Sequence, residues 1–122
     1  MSISMIEATC HCGASRATAT EMPQFLLDCN CSLCRRYKPL WAYYEGSQVE
    51  IESEARLLIY VWGEKRINFH FCPDCHCLLH NSSEAKEGQK RIGINARMAT
   101  PESVNTIRVR KFDGADSWEF VD

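Results

Sequence analysis

The chain of 122 residues carries almost no net charge: 14 Lys and Arg stand against 16 Asp and Glu, a balance of −2 at pH 7. With no run of like charges and no basic tail, it lacks the electrostatic footprint that a phosphate backbone demands, and no nucleic-acid partner is expected. Long apolar runs are missing too. The longest strongly apolar stretch, Leu57 to Trp62, is far too short to span a bilayer, so no membrane partner is expected. The opening residues Met1 to Glu7 have neither a basic segment nor a sustained apolar one, so no secretory signal is read and a cytoplasmic location is expected. No interdomain linker, internal repeat or low-complexity tract interrupts the chain, which reads as one domain over 1–122. No Ser/His/Asp order, phosphate loop or pair of catalytic carboxylates stands out.

Helical periodicity is also scarce. Period-two alternation dominates, as in Arg66-Ile67-Asn68-Phe69-His70-Phe71, where Ile67, Phe69 and Phe71 share one face. Short strands are expected at Ile3 to Thr9, Ala14 to Thr20, Trp41 to Glu45, Val49 to Ser53, Leu57 to Trp62, Arg66 to Phe71, Leu78 to Asn81, Arg91 to Asn95 and Thr106 to Lys111. The fold class is mainly β: short antiparallel strands and hairpins with little helix. One helical turn is expected after Thr100, with Thr100 as the cap and Pro101 at the first position. Gly46-Ser47, Gly63-Glu64 and Asp113-Gly114 mark turns, and Ser82 to Gln89 reads as an exposed loop. Leu57 to Trp62 and Arg66 to Phe71 form a hairpin that delivers Cys72 and Cys75.

What the chain has in quantity is cysteine, eight in all. Seven fall into three clusters: Cys10 and Cys12; Cys29, Cys31 and Cys34; Cys72 and Cys75. In a reducing compartment such clusters are metal ligands more often than disulfides. Zinc takes four soft ligands tetrahedrally at roughly 2.3 Å, and structural sites are closed by two short Cys pairs from distant segments. Cys10, Cys12, Cys72 and Cys75 therefore make a structural zinc site. Pro73 presets the turn of the second pair, and Gly13 lets the chain turn away after the first, whose two sulfurs lean to one side of a strand. Cys29, Cys31 and Cys34 supply three ligands and leave the fourth position undecided, which is the arrangement of a catalytic zinc, and Arg35-Arg36 nearby favours thiolates. Two zinc ions per chain are expected. The rival readings are buried free thiols, four disulfides in an oxidising compartment, and thiol-disulfide exchange, although neither Cys-x-x-Cys opens a helix in a βαβ unit.

In Cys10-His11-Cys12-Gly13, Cys29-Asn30-Cys31-Ser32-Leu33-Cys34-Arg35-Arg36, Leu40-Trp41-Ala42-Tyr43-Tyr44 and Phe71-Cys72-Pro73-Asp74-Cys75, in that order, the chain resembles the glutathione-dependent formaldehyde-activating enzymes, a family that includes centromere-protein-V-like members. The resemblance implies a zinc-bearing β fold with a structural zinc at Cys10, Cys12, Cys72 and Cys75 and a second, labile zinc at the catalytic trio Cys29, Cys31 and Cys34. It implies a carbon-sulfur lyase that condenses glutathione with formaldehyde into S-hydroxymethylglutathione, so a small thiol and an aldehyde are the expected partners. A noncatalytic zinc module for protein contact is the alternative on the same scaffold. Many members carry glycine after the last cysteine of the final pair. This chain has His76 there, for which a left-handed backbone is costlier.

Several residues admit two readings. Cys77 is a buried thiol or an alternate ligand. His70, His76 and His80 read as polar-face residues, any of which could complete the trio, and His11 points away from the metal. Arg35, Arg36 and Lys38 could bind the carboxylates of a glutathione-like substrate or form a solvated basic turn. Trp41, Tyr43 and Tyr44 could wall a pocket or fill the core, and Arg91 to Arg97 adds a strand facing the substrate side with nothing specific to mark it.

Overall fold

Alternating short strands that bury one side each must pair and stack, and among the described residues ten do so. The computed structural model describes residues 5–63, 66–84 and 90–122. The strands are β1 (Ile6–Thr9), β2 (Ser15–Ala19), β3 (Leu26–Cys29), β4 (Trp41–Glu45), β5 (Val49–Ser53), β6 (Leu58–Trp62), β7 (Ile67–Phe71), β8 (Leu78–Glu84), β9 (Lys90–Asn95) and β10 (Val109–Phe112). One-turn helices α1 (Cys34–Tyr37) and α2 (Pro101–Val104) complete the regular structure, with short 3₁₀ turns at Gly46–Gln48 and Ala96–Met98. A three-stranded sheet runs β1-β2-β5, and a seven-stranded sheet runs β10-β3-β4-β9-β8-β7-β6. The β3–β10 pair is parallel and the other strand pairs are antiparallel. Among the described residues no helix is long and apolar enough to cross a membrane.

The two faces of the large sheet serve different ends. One packs against the small sheet, whose inward residues Ile6, Ala8, Ala17 and Ala19 meet Ala42, Tyr44, Leu79, Ile92 and Ile94 in the first buried cluster. Outward positions on β1 and β2 are polar, as with Glu7 and Arg16, so the alternation alone orients these strands. Burying each Ile or Leu contributes about 1.5–3 kcal/mol. The opposite face carries Leu27, Trp41, Phe69 and Leu78 in a second cluster together with Cys31 and Cys34. There, Trp41 of β4 packs its ring against Tyr43 and against Phe69 of β7, and Phe112 of β10 meets Trp118 and Phe120 edge-on.

β4 and β5 match the expected strands end to end, and the β6–β7 hairpin forms as expected. Arg66 belongs to the turn rather than to β7 because its φ is 52°. Ile3 and Ser4 of the first expected strand, and Glu64 of the Gly63-Glu64 turn, lie outside the described residues. The loop expected from Ser82 is a correction: Ser82, Ser83 and Glu84 extend β8, paired with Ile92, Arg91 and Lys90. Ladder pairing beside a buried Ser82 outweighs polar composition here, and residues 85–89 lie outside the described ones. Helix α2 starts at Pro101 as expected, but the Thr100 side chain makes no capping bond. Ser103 instead donates from both N and Oγ to the Thr100 carbonyl, at 3.1 and 2.7 Å.

His80 is not a polar-face residue. It is 5% exposed, its Nδ1 has no partner among the described residues, and its ring stacks on His70 at 4.0 Å. His70 Nε2 meets Ser82 Oγ at 2.8 Å. Burial, reinforced by His70 and Lys90, pushes His80 down to about 3. The unfolded chain binds a proton at His80 as pH falls below about 6.5, whereas the folded chain resists until about 3. The stabilisation is therefore in place above pH 6.5 and is lost as pH falls from there. His80→Phe should show the consequence. In urea denaturation at matched metal load, its stability relative to wild type should rise by about 2 kcal/mol between pH 7 and pH 5, and a constant difference would show that His80 does not titrate this way.

Candidate metal centres and the cavity they face

Cys10 and Cys12 lie on the turn leaving β1, not on a strand as the sequence suggested. Gly13, at φ 83°, donates to the Cys10 carbonyl at 3.0 Å and reverses the chain. Cys72 and Cys75 lie on the turn leaving β7, where His76 N–H donates to the Cys72 carbonyl at 2.9 Å and Cys72 N–H to the Cys77 carbonyl at 3.0 Å. The turn imposes φ 63° on His76, so histidine takes the left-handed conformation that glycine takes freely. The two turns bring four sulfurs within 4.8 Å of one another, with Cys10–Cys12 at 3.7 Å and Cys12–Cys72 at 3.6 Å. Tetrahedral zinc requires sulfurs about 3.8 Å apart, so the donor set fits. Ser15 N–H points at Cys10 Sγ from 3.3 Å, as it would toward a thiolate. Against the upward push of burial, hydrogen bonds from the Cys12 and Cys77 backbone and the Cys72 thiol pull Cys75 down to about 5. Cys12 moves the other way. Its Ala14 hydrogen bond lowers it, but the neighbouring Cys72 thiol and burial push it up to about 12.

The trio is built at the end of β3. Cys29 closes that strand, Cys31 sits in the following turn and Cys34 opens α1, which ends at a left-handed Lys38 whose N–H returns to the Cys34 carbonyl at 2.7 Å. The three sulfurs lie within 4.8 Å of one another. Backbone N–H groups of Cys31 and Cys34 aim at the sulfurs of Cys29 and Cys31, at 3.4 and 3.3 Å, and Trp41 Nε1–H aims at Cys34 Sγ from 3.5 Å. Hydrogen bonds from the Cys29 and Cys34 thiols pull Cys31 down to about 2, while Cys29 is pushed up by its bond to Cys31 and Cys34 by its bonds to Cys29 and Cys31. Three sulfurs so placed suit a soft cation that displaces the two remaining protons.

The C-terminal segment closes over this site. Asn30 donates to Asp113 at 3.0 Å and accepts from Ala115 N–H at 3.0 Å, pinning the segment to the trio's own loop. A Cβ on Gly114 would stand 2.5 Å from Cys29 Sγ, so only glycine permits the approach. Inside this closure the three cysteines line a cavity of about 320 Å³, walled by Trp41, Tyr43, Trp62, Phe69 and Trp118 among others, with Asn81, Ser83, Glu84 and Arg91 as its polar members. A larger groove of about 550 Å³ lies on the far side of Ser32-Leu33, lined by Arg36, Tyr37, Tyr60, Phe71 and His76, and Trp62 belongs to both spaces. The Tyr43 phenol is pushed up by burial, and Asn81 Nδ2 donates to its oxygen at 3.2 Å.

The two cysteine sets expected from spacing are thus brought together. Cys77 stays outside both and is half-buried, so it joins neither the core clusters nor the ligand sets. His11 is exposed, and none of the histidines adds an atom to either sulfur set. Arg35 is exposed, Arg36 lines the groove while donating to the Ser32 carbonyl, and the Lys38 carbonyl accepts from Arg97 at 2.6 Å. Trp41 and Tyr43 both wall the cavity and pack the second cluster, whereas Tyr44 faces the first and donates to the Glu21 carbonyl at 2.6 Å. Asn81, Phe112, Trp118 and Phe120 went unread in the sequence because strand register and a chain-end turn, not local pattern, bring them to the cavity.

A crystal structure of a Rhodobacter sphaeroides protein has a similar fold, with a TM-score of 0.66 and 24% identity, covering 85% of this chain and 99% of that one. No curated relative matches the chain. The model of the family described as glutathione-dependent formaldehyde-activating enzyme matches residues 5–109, a span that includes both sulfur sets and most of the cavity wall. The chain belongs to this glutathione-dependent formaldehyde-activating (GFA) family.

Proposed function

We propose that the protein is a zinc-dependent carbon-sulfur lyase that forms or cleaves the adduct between a glutathione-type thiol and a small aldehyde. The observation that carries this reading is that all three cysteines of an incomplete ligand set line a largely aromatic cavity. Zinc held by Cys29, Cys31 and Cys34 would supply Lewis acidity and lower the pKa of a nearby thiol. The remaining work falls to the chain. Aromatic walls exclude water and hold the small carbon centre, and the groove beyond Trp62 is roomy enough for the peptide part of the thiol. Arg36 there offers a guanidinium to a carboxylate, while Arg35, exposed beside it, contributes charge only. The quartet of Cys10, Cys12, Cys72 and Cys75 ties the β1 turn to the β7 turn as a structural zinc site. Two zinc ions per chain and a reducing, cytoplasmic setting belong to the same proposal.

A second reading, a noncatalytic zinc module for protein contact, draws on β6. This edge strand exposes Leu58, Ile59, Tyr60 and Val61, each close to half or more.

Metal counting by atomic emission should give about two zinc per chain. Cys29→Ser should lose one with its circular dichroism unchanged, and Cys10→Ser should lose the other and unfold at lower denaturant. A single ion per wild-type chain, or iron, would overturn the two-site reading. Exchange NMR of glutathione with formaldehyde should show adduct formation above the spontaneous rate. Cys31→Ser should bring that rate back to background, and equal rates with and without wild-type protein would leave the noncatalytic reading in possession.

A further inference from the structure

We propose that Tyr43 is a catalytic proton donor of this site, handing its phenolic proton to the aldehyde oxygen as the carbon-sulfur bond forms; this rests on the lyase reading above. Three neighbouring strands build the arrangement. In the sheet, Tyr43 on β4 lies opposite Gly93 on β9, which lies opposite Asn81 on β8. A Cβ on Gly93 would stand 2.8 Å from both Tyr43 Cε1 and Asn81 Nδ2, so the missing side chain is the space in which the two meet. Asn81 is 1% exposed and spends an N–H on the phenol oxygen at 3.2 Å. Because the oxygen accepts that bond, its own hydrogen remains free for another acceptor. Both side chains line the cavity that the trio opens onto.

Addition moves electrons in one direction. The thiol sulfur forms a bond to the carbonyl carbon, the C=O π pair passes to oxygen, and that oxygen takes the Tyr43 proton. The proton released by the thiol restores the phenol, so the sum is thiol plus aldehyde to hydroxyalkyl thioether. A transient phenolate needs a cation nearby. Arg91, also on the cavity wall, stands with its guanidinium 4.4 Å from the Tyr43 ring centroid and forms no ion pair with a described carboxylate. Asn81 is a positioning residue, since it acts only through Tyr43.

The proposal is tested by binding and turnover together. By calorimetry, zinc-loaded wild type should prefer S-(2-hydroxyethyl)glutathione over S-ethylglutathione by about tenfold, since only the former offers an oxygen to the phenol. Tyr43→Phe should lose that preference, bind S-ethylglutathione unchanged and lower kcat about 10²-fold. Gly93→Ala, which pushes the ring and the amide apart, should lower both preference and kcat while keeping its metal. No preference in wild type, or Tyr43→Phe turning over at the wild-type rate, overturns the role of Tyr43 alone. Wild type that shows the preference but gives no rate above background overturns the lyase reading, and the proton step falls with it.

Discussion

Sulfurs held within 4.8 Å of one another cannot all be thiolates without a cation, and the whole arrangement turns on that constraint. Without one, the protons distribute themselves unevenly: Cys31 and Cys75 fall, and Cys12, Cys29 and Cys34 rise. Such opposed shifts follow from neighbouring sulfurs sharing protons through hydrogen bonds, a role that one soft divalent ion would take over. The scaffold aims backbone N–H groups of Ser15 and Cys34 at Cys10 and Cys31, two sulfurs whose protons are held least tightly. A metal bound by the quartet would be coupled to the fold, since the turns that carry those cysteines also terminate β1 and β7.

The same sheet separates stability from chemistry. Its covered face, against the alanine-rich small sheet, supplies the apolar burial, and its other face is left concave and aromatic. β4 shows the division residue by residue: Ala42 and Tyr44 point into the first cluster, Trp41 and Tyr43 into the second. A one-residue slip would exchange the two sets, so the β4–β9 register from Trp41–Asn95 to Glu45–Arg91 fixes the cavity as firmly as any ligand does. The segment beyond the family match, through Asn30–Asp113 and Gly114 over Cys29, then closes the trio's side.

Much of this could be read from local pattern. Cysteine spacing named both sulfur sets because ligands of one tetrahedral ion need that spacing, and period-two alternation placed most strands because each buries one side. What was not legible depends on distant pairing. β3 is only four residues, Leu26–Cys29, without a clear alternation, and its partner β10 runs parallel to it from the other end of the chain. Asn81, Gly93 and Tyr43 form a row only once β8, β9 and β4 are in register, and Arg91 joins them by the same route. Ser82 to Glu84 look like loop residues, but the sheet recruits them. His76 goes against intrinsic preference because the hydrogen bonds of its turn leave no other conformation.

β6 sets terms for handling the molecule. Along it, Leu58, Tyr60 and Trp62 face the groove, while Ile59 and Val61 alternate onto the other side, both about half exposed. A charge introduced at Ile59 or Val61 would blunt the sticky border of the sheet and improve colloidal behaviour at high concentration, leaving the groove-facing side chains as they are. The same edit at Leu58 or Tyr60 would alter the groove itself, so solubility engineering of this protein has to respect the parity of one strand.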